Sequence, residues 1–261
     1  MTARWLLTTL LAVCLLGPYL APARPEAQFR DFPSAPPCRA FWLGTDELGR
    51  DVFSRLLYAL RSSVLTAAPA AAAATLLGCT LGAAAGWWGG CWRLLVSRSA
   101  DLLVSLPWIL LLLAARAAFP LDLPPQAGLA LVFFLLALLG WGPAARLGQM
   151  VAAQIRQAPF VLQAHAAGLS EHRILLRHVA SQLRHTAVAQ FWATAPAFVA
   201  AEMNLSLLGL GAPEPTPSLG VLLRPLSDPS TWAQRPWLLA PVATAVTLLV
   251  LLQQAAGKDP A

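Results

Sequence analysis

Residues 64–88 read VLTAAPAAAAATLLGCTLGAAAGWW, a stretch without a single charged side chain. About 20 apolar residues in a helix cross the hydrocarbon core of a bilayer, so this segment is long enough to span one. Its alanines and glycines are the small residues that let helices approach closely in lipid. Trp87 and Trp88 close the run and Trp92 follows it, where indoles favour the membrane interface. The whole chain of 261 residues agrees, being 57% hydrophobic and 11% charged, against about a quarter charged in soluble domains. So little polar surface cannot coat a water-facing globule, and the bilayer is the solvent the composition calls for.

Working outward, other apolar runs flank this one. Trp5 to Leu20 follows Arg4 and is closed by Pro18; it reads as a first span, with a cleaved signal peptide ending near Ala21-Pro22-Ala23 as the competing reading. Ala21 to Phe41, rich in proline and charge, reads as an extended, exposed connection. Thr45 or Asp46 then suits a helix N-cap and Glu47 its first turn. Val52, Phe53, Leu56, Leu57 and Leu60 share a face from which Arg50, Arg55 and Arg61 are absent, the pattern of an amphipathic helix on the membrane surface.

Downstream, a loop holding Arg93 and Arg98 leads to Leu102–Phe119, broken by Pro107, with Asp101 and Arg116 read as interfacial. Ala127–Gly142, Thr186–Leu210 and Trp237–Leu252 complete the apolar runs, and residues 144–185 are polar, basic and helical in pattern. The expectation is an all-α, polytopic membrane protein of about six transmembrane helices. It divides into a first span (1–22), a connection with the amphipathic helix (23–62), and a core (63–256) holding the polar loop 144–185.

The net charge of +6 comes without a basic stripe interleaved with aromatics, which argues against nucleic acid as a partner. Cys14, Cys38, Cys79 and Cys91 lack metal-ligand spacing and read as small hydrophobes, so no metal or cofactor is expected. With both termini on one side, six spans would divide the arginines and lysine nine against nine, so the positive-inside rule leaves the orientation open. Neither GxxxxGK[ST] nor HExxH nor GxSxG occurs; nothing here points to an enzyme or to ATP binding by a P-loop.

Three segments resemble one family in order. Residues 43–61 (LGTDELGRDVFSRLLYALR) look like the signature of the second permease in dipeptide, oligopeptide and nickel ABC importers. Residues 160–178 (FVLQAHAAGLSEHRILLRH) resemble the loop through which such permeases contact their ATPases, and residues 201–220 (AEMNLSLLGLGAPEPTPSLG) resemble a motif of the same subfamily. The resemblance implies a type I ABC importer permease fold, cytoplasmic termini in the cell inner membrane, and cargo that is a peptide, nickel or a nickel chelate. It implies as partners a second permease subunit, two ABC ATPase subunits, a periplasmic or lipid-anchored solute-binding protein, and membrane lipid.

The matched positions define candidate sites. In the coupling loop they are Ala164, His165, Gly168, Ser170, Arg173, Arg177 and His178, with Gly168 at the bend, Ser170 capping a second short helix and the basic residues facing a partner or lipid phosphates. Leu162 stands where the family has glutamate, Gln163 where it has alanine, and Ala180-Ser181 where it has leucine-proline. A solvated basic loop is the plainer reading of the same residues. In the first motif the matched positions are Gly44, Thr45, Asp46, Gly49, Arg50 and Asp51, of which Asp46, Arg50 and Asp51 read either as a local ion network fixing the helix on the membrane or as caps and a snorkelling cation. Glu202 lies in an apolar run, where a carboxylate is costly; with Gly209 and Gly211 it reads as pore lining or gating, or else as hydrogen-bonded to Asn204, Ser206 or a neighbouring helix. A transporter driven by an ion gradient and a degenerate, weakly coupled paralogue are the alternatives.

Overall fold

The computed structural model describes residues 12–120, 123–211 and 213–256. Among them the architecture is all-α; the extended backbone is limited to two isolated bridges, Gln28 with Arg50 and Thr45 with Asp51. Helix α1 (residues 12–20) opens the described chain. The connection after it is folded rather than extended: Phe41 packs its ring on Phe29 and Phe32, at 5.0 and 5.8 Å between centroids.

Helix α2 (Val52–Trp88) has 37 residues, about 55 Å at 1.5 Å per residue. Its N-cap is Asp51, whose carboxylate accepts from the Ser54 N–H at 2.9 Å. Thr45 and Asp46 therefore lie in the preceding loop and cap nothing. The separate surface helix expected over 52–61 is the first three turns of α2, with Val52, Leu56, Leu57 and Leu60 buried and Arg55 only 3% exposed. The boundary drawn at residue 62 falls inside one continuous helix.

Helices α3 (Gly90–Ser105) and α4 (Trp108–Ala117) meet at a 94° bend. Leu106 is extended at this break because Pro107 disfavours the α conformation before it. Arg93 and Arg98 sit on α3, not in a loop. Arg116 is buried in the protein: it is 2% exposed, and its Nη1 donates to the Pro120 carbonyl at 3.1 Å beyond the end of α4. Asp101 is half exposed and pairs with Arg146 at 2.8 Å.

Helices α5 (Pro125–Leu139) and α6 (Gly142–Arg156) follow each other closely enough to act as one long apolar rod, Gln126–Arg156. α6 lies flush on α2. A β-carbon at Gly82 would sit 2.0 Å from the Ala145 carbonyl oxygen, one at Gly78 2.3 Å from that of Trp141, and one at Gly86 2.4 Å from that of Gln149. Gly148 reciprocates, 2.5 Å from the Cys79 carbonyl oxygen. Glycine every fourth position puts one bare strip along α2, and backbone meets backbone. The first third of the stretch 144–185 thus belongs to the bundle, not to a loop.

Short helices α7 (Pro159–Ala166) and α8 (Glu171–Ile174) follow, then a π turn (Leu175–Val179) and α9 (Ala180–Leu207). After an irregular segment come α10 (Leu219–Leu223), α11 (Pro229–Gln234) and α12 (Ala240–Ala256). Among the described residues, three helices are long and apolar enough to cross a membrane, or four if the bent pair α3–α4 is one span. The expected count of six is not reached by this measure. The first run falls partly on residues 1–11, outside the described residues, and the fifth is α9, 28 residues long but polar toward its start.

Candidate functional site

The matched motifs gather at two ends of the bundle. At one end, the segment 209–220 is fastened to α2 and α9. Gly209 takes the left-handed conformation (φ +80°) that ends α9, donating its N–H to the Ser206 carbonyl at 3.0 Å while Leu210 donates to Leu205 at 2.9 Å. Gly211 then packs so tightly on Ser206 that a β-carbon would overlap its hydroxyl.

Glu202, wholly buried, is the anchor. Its Oε1 accepts from the hydroxyls of Ser206 (2.8 Å) and Ser218 (2.7 Å), and its Oε2 accepts from the Gly220 N–H at 3.3 Å. Ser63 of α2 accepts from the Leu219 N–H at 3.1 Å, and Ser62 donates to the Pro217 carbonyl. A carboxylate removed from water must have its lone pairs satisfied, and three donors do so here. Of the readings of Glu202, the structure shows the hydrogen bond to Ser206, without Asn204, and the carboxylate forms a knot inside the protein.

Glu214, in the same segment, reaches the first motif. Its Oε2 accepts from Arg50 at 2.7 Å and its Oε1 from Arg55 at 3.1 Å, and both arginines also bind Asp46. Asp46 further accepts from the N–H groups of Leu48 and Arg50 through Oδ1. Burial alone would push the Glu214 carboxyl up, but Arg55 and Arg50 outweigh it and hold it below the ordinary carboxylate value. The two readings of the first motif thus divide by residue: Asp46 and Arg50 are in an ion network, while Asp51 is a cap. Thr45 is fully buried, donating to the Phe32 carbonyl and accepting from the Ala35 N–H. Gly44 and Gly49 press against the carbonyl oxygens of Ala35 and Phe29, with no room for a β-carbon. Sequence reasoning missed Glu214, Arg55, Ser63 and Ser218; the one signal was an acid lodged among prolines in GAPEPTPS.

At the other end lies the coupling-loop candidate. Gly168 joins α7 to α8 at φ +78°, and a β-carbon there would meet nothing within 4 Å. Ser170 holds the N-cap position of α8 but its side chain makes no capping bond. Arg173 and Arg177 are exposed, and His178 stacks near Phe160 at 5.2 Å. The side chains of Leu162 and His165 fall outside the described set. Val161, Ala164, Ile174 and Val179 turn inward and pack with Ala83 and Trp87 of α2 and Ala152 of α6. Trp87 is accordingly buried against protein, whereas Trp88 and Trp92 are exposed.

Ser63 and Ala83 mark these two ends along α2, about 30 Å apart, which is the thickness of a hydrocarbon core. Among the described residues, no group of three or more His, Cys, Asp or Glu side chains comes together.

Residues 52–255 match the family model described as "Binding-protein-dependent transport system inner membrane component". The chain is similar to a dipeptide transport system permease protein of Bacillus subtilis, 31% identical over 222 residues, 85% of this chain and 68% of that one. It is similar to a glutathione transport system permease protein of Escherichia coli O157:H7, 32% identical over 224 residues, 85% of this chain and 72% of the relative. An oligopeptide transport system permease protein of Bacillus subtilis is 29% identical over 187 residues, 72% of this chain and 59% of its own length.

Proposed function

We propose a function from one premise: this chain belongs to the family of binding-protein-dependent transport system inner membrane components. It is the membrane-spanning permease subunit of an ATP-driven importer, working beside a second permease, two ATPase subunits and a solute-binding protein. Its cargo is a short peptide, a reading supported by relatives named for dipeptide, oligopeptide and glutathione transport. For nickel or a nickel chelate, support comes from the sequence resemblance alone. Both termini face the cytoplasm, with the Gly168 loop on that side and the Glu202 knot on the other.

One observation carries this reading. The Gly168 loop is welded by its apolar face to α2 and α6, and α2 continues without a break to Arg55 and Ser63 at the far end. A push on the loop is therefore delivered to the segment 209–220. In this scheme ATP-driven closure of the ATPases tilts α2 with α6 as one body, and the Glu202 and Glu214 contacts determine when the far end opens.

The test is assembly and coupling. The tagged chain, co-expressed with its neighbouring transport genes, should retain both ATPases and the second permease. Addition of the loaded binding protein should raise ATP hydrolysis. An intact assembly that hydrolyses ATP without responding to the binding protein would favour the weakly coupled paralogue, a reading for which Leu162 in place of the family's glutamate is the specific ground.

A further inference from the structure

The outward surface of the Gly168 loop has a chemistry of its own. Residues 142–190 hold Arg146, Arg156, Arg173, Arg177 and Arg184 and all four histidines of the chain, with Glu171 the sole acid in that interval. Among the described residues, Arg146 is answered by Asp101, while no salt bridge forms at Arg156, Arg173, Arg177 or Arg184. Among the described side chains of the loop, Val161, Ala164, Ile174 and Val179 are spent inward and Phe160 is left half-exposed. The bend itself presents Ala166, Ala167 and Gly168, all exposed. A surface made to enter lipid turns a band of large apolar and aromatic side chains outward; among the described residues this one turns out Phe160 alone, beside a small tip flanked by cations. Beside it opens a cavity of about 470 Å³, bordered by Gln154, Ile155, Phe160, Arg177, His178 and Gln182.

We propose that this surface docks into an acidic groove of the ATPase subunit, with the cavity receiving a carboxylate side chain of that subunit against Arg177. The proposal rests on the reading that an ATPase docks at this loop, and it adds the sign of the partner's charge and the socket it fills. A guanidinium pairs with a carboxylate in a bidentate fork, which a lysine reproduces only as a point charge. Exposed pairs of this kind set association rate and salt dependence, and a reversed charge meets like charge.

The experiment uses the chain with its second permease in nanodiscs, made either of phosphatidylcholine or of phosphatidylcholine with phosphatidylglycerol. The probe is the ATPase pair that co-purifies with the wild-type chain, titrated from about 50 to about 500 mM salt, where the Debye length shrinks from over 10 Å to a few ångströms. The expected result is binding that weakens with salt. Arg177→Glu should lose at least about tenfold at low salt, Arg177→Gln less, and Arg177→Lys least, with the differences closing at high salt. Reversal of an acidic residue of the groove to lysine should restore binding to Arg177→Glu. Wild-type binding that ignores salt, or Arg177→Gln and Arg177→Glu that bind as wild type does, overturns the acidic groove and leaves the ATPase partner standing. A loss confined to phosphatidylglycerol discs assigns the cations to lipid phosphates and overturns it too. ATPases that never bind the wild-type chain overturn both readings.

Discussion

Replacing Glu202 should loosen the end of the bundle farthest from the Gly168 loop, and the structure sets the scale. The carboxylate accepts from two hydroxyls and one N–H, all buried. In Glu202→Ala the Ser206 hydroxyl can turn to its own helix, as serines in helices do. The Ser218 hydroxyl and the Gly220 N–H lose their acceptor, at about 1–3 kcal/mol each. The vacated space adds about 1–2 kcal/mol, for a total of about 3–8 kcal/mol. Glu202→Gln keeps a carbonyl oxygen for the hydroxyls but turns an NH2 toward the Gly220 N–H, donor against donor, at about 1–3 kcal/mol. The cost falls locally, so the readout is protease cleavage or amide exchange in 211–220, compared with exchange in α2 as an internal reference. Opening should rank alanine above glutamine above wild type, with peptide uptake falling in the same order. Equal protection of 211–220 in all three proteins would refute the anchor.

Other expectations follow from the same geometry. Gly168→Val forces a β-branched residue to φ +78° and should abolish uptake while membrane insertion, followed by fractionation, stays normal. Gly82→Val drives a side chain into the Ala145 carbonyl and should part α2 from α6, costing about 1–3 kcal/mol or more and lowering the melting temperature in detergent. Arg55→Met takes one of two guanidinium partners from Asp46, which keeps Arg50 and two N–H donors, and should destabilise the motif end by about 1–3 kcal/mol, whereas Glu214→Gln, acting on a half-exposed acid, should cost less. Because the folded Glu214 carboxyl lies below its ordinary value of 4.5, its contribution is complete above that pH and drains away as pH falls through the lower folded value; protection at 211–217, exchange corrected for its base-catalysed intrinsic rate, should be flat from pH 5 to 8 and fall only in stronger acid.

Much of this was legible in the residues. The membrane class followed from 64–88, the break at Pro107 from proline chemistry, and the bend at Gly168 from the loop pattern. What escaped were pairings across long stretches of chain. Arg55 read as a surface cation because the acids that bury it sit 9 and 159 residues away. Glu202 read as pore lining because its main partner, Ser218, belongs to an irregular segment whose course no periodicity reveals. Residues 144–156 read as loop because their polar face was visible and the glycine strip receiving their other face lies in α2. Thr45 and Asp46 have good N-cap chemistry, but the helix is capped by the next aspartate, Asp51, whose carboxylate accepts from the Ser54 N–H.

Site-directed crosslinking at Ala167 decides whether a nucleotide-hydrolysing subunit grips the Gly168 loop. A photoreactive side chain at this exposed position should crosslink to an ATPase subunit in intact cells and stay hidden from a membrane-impermeant reagent added outside. Labelling of Ala167 from outside, with no ATPase adduct, would contradict the account.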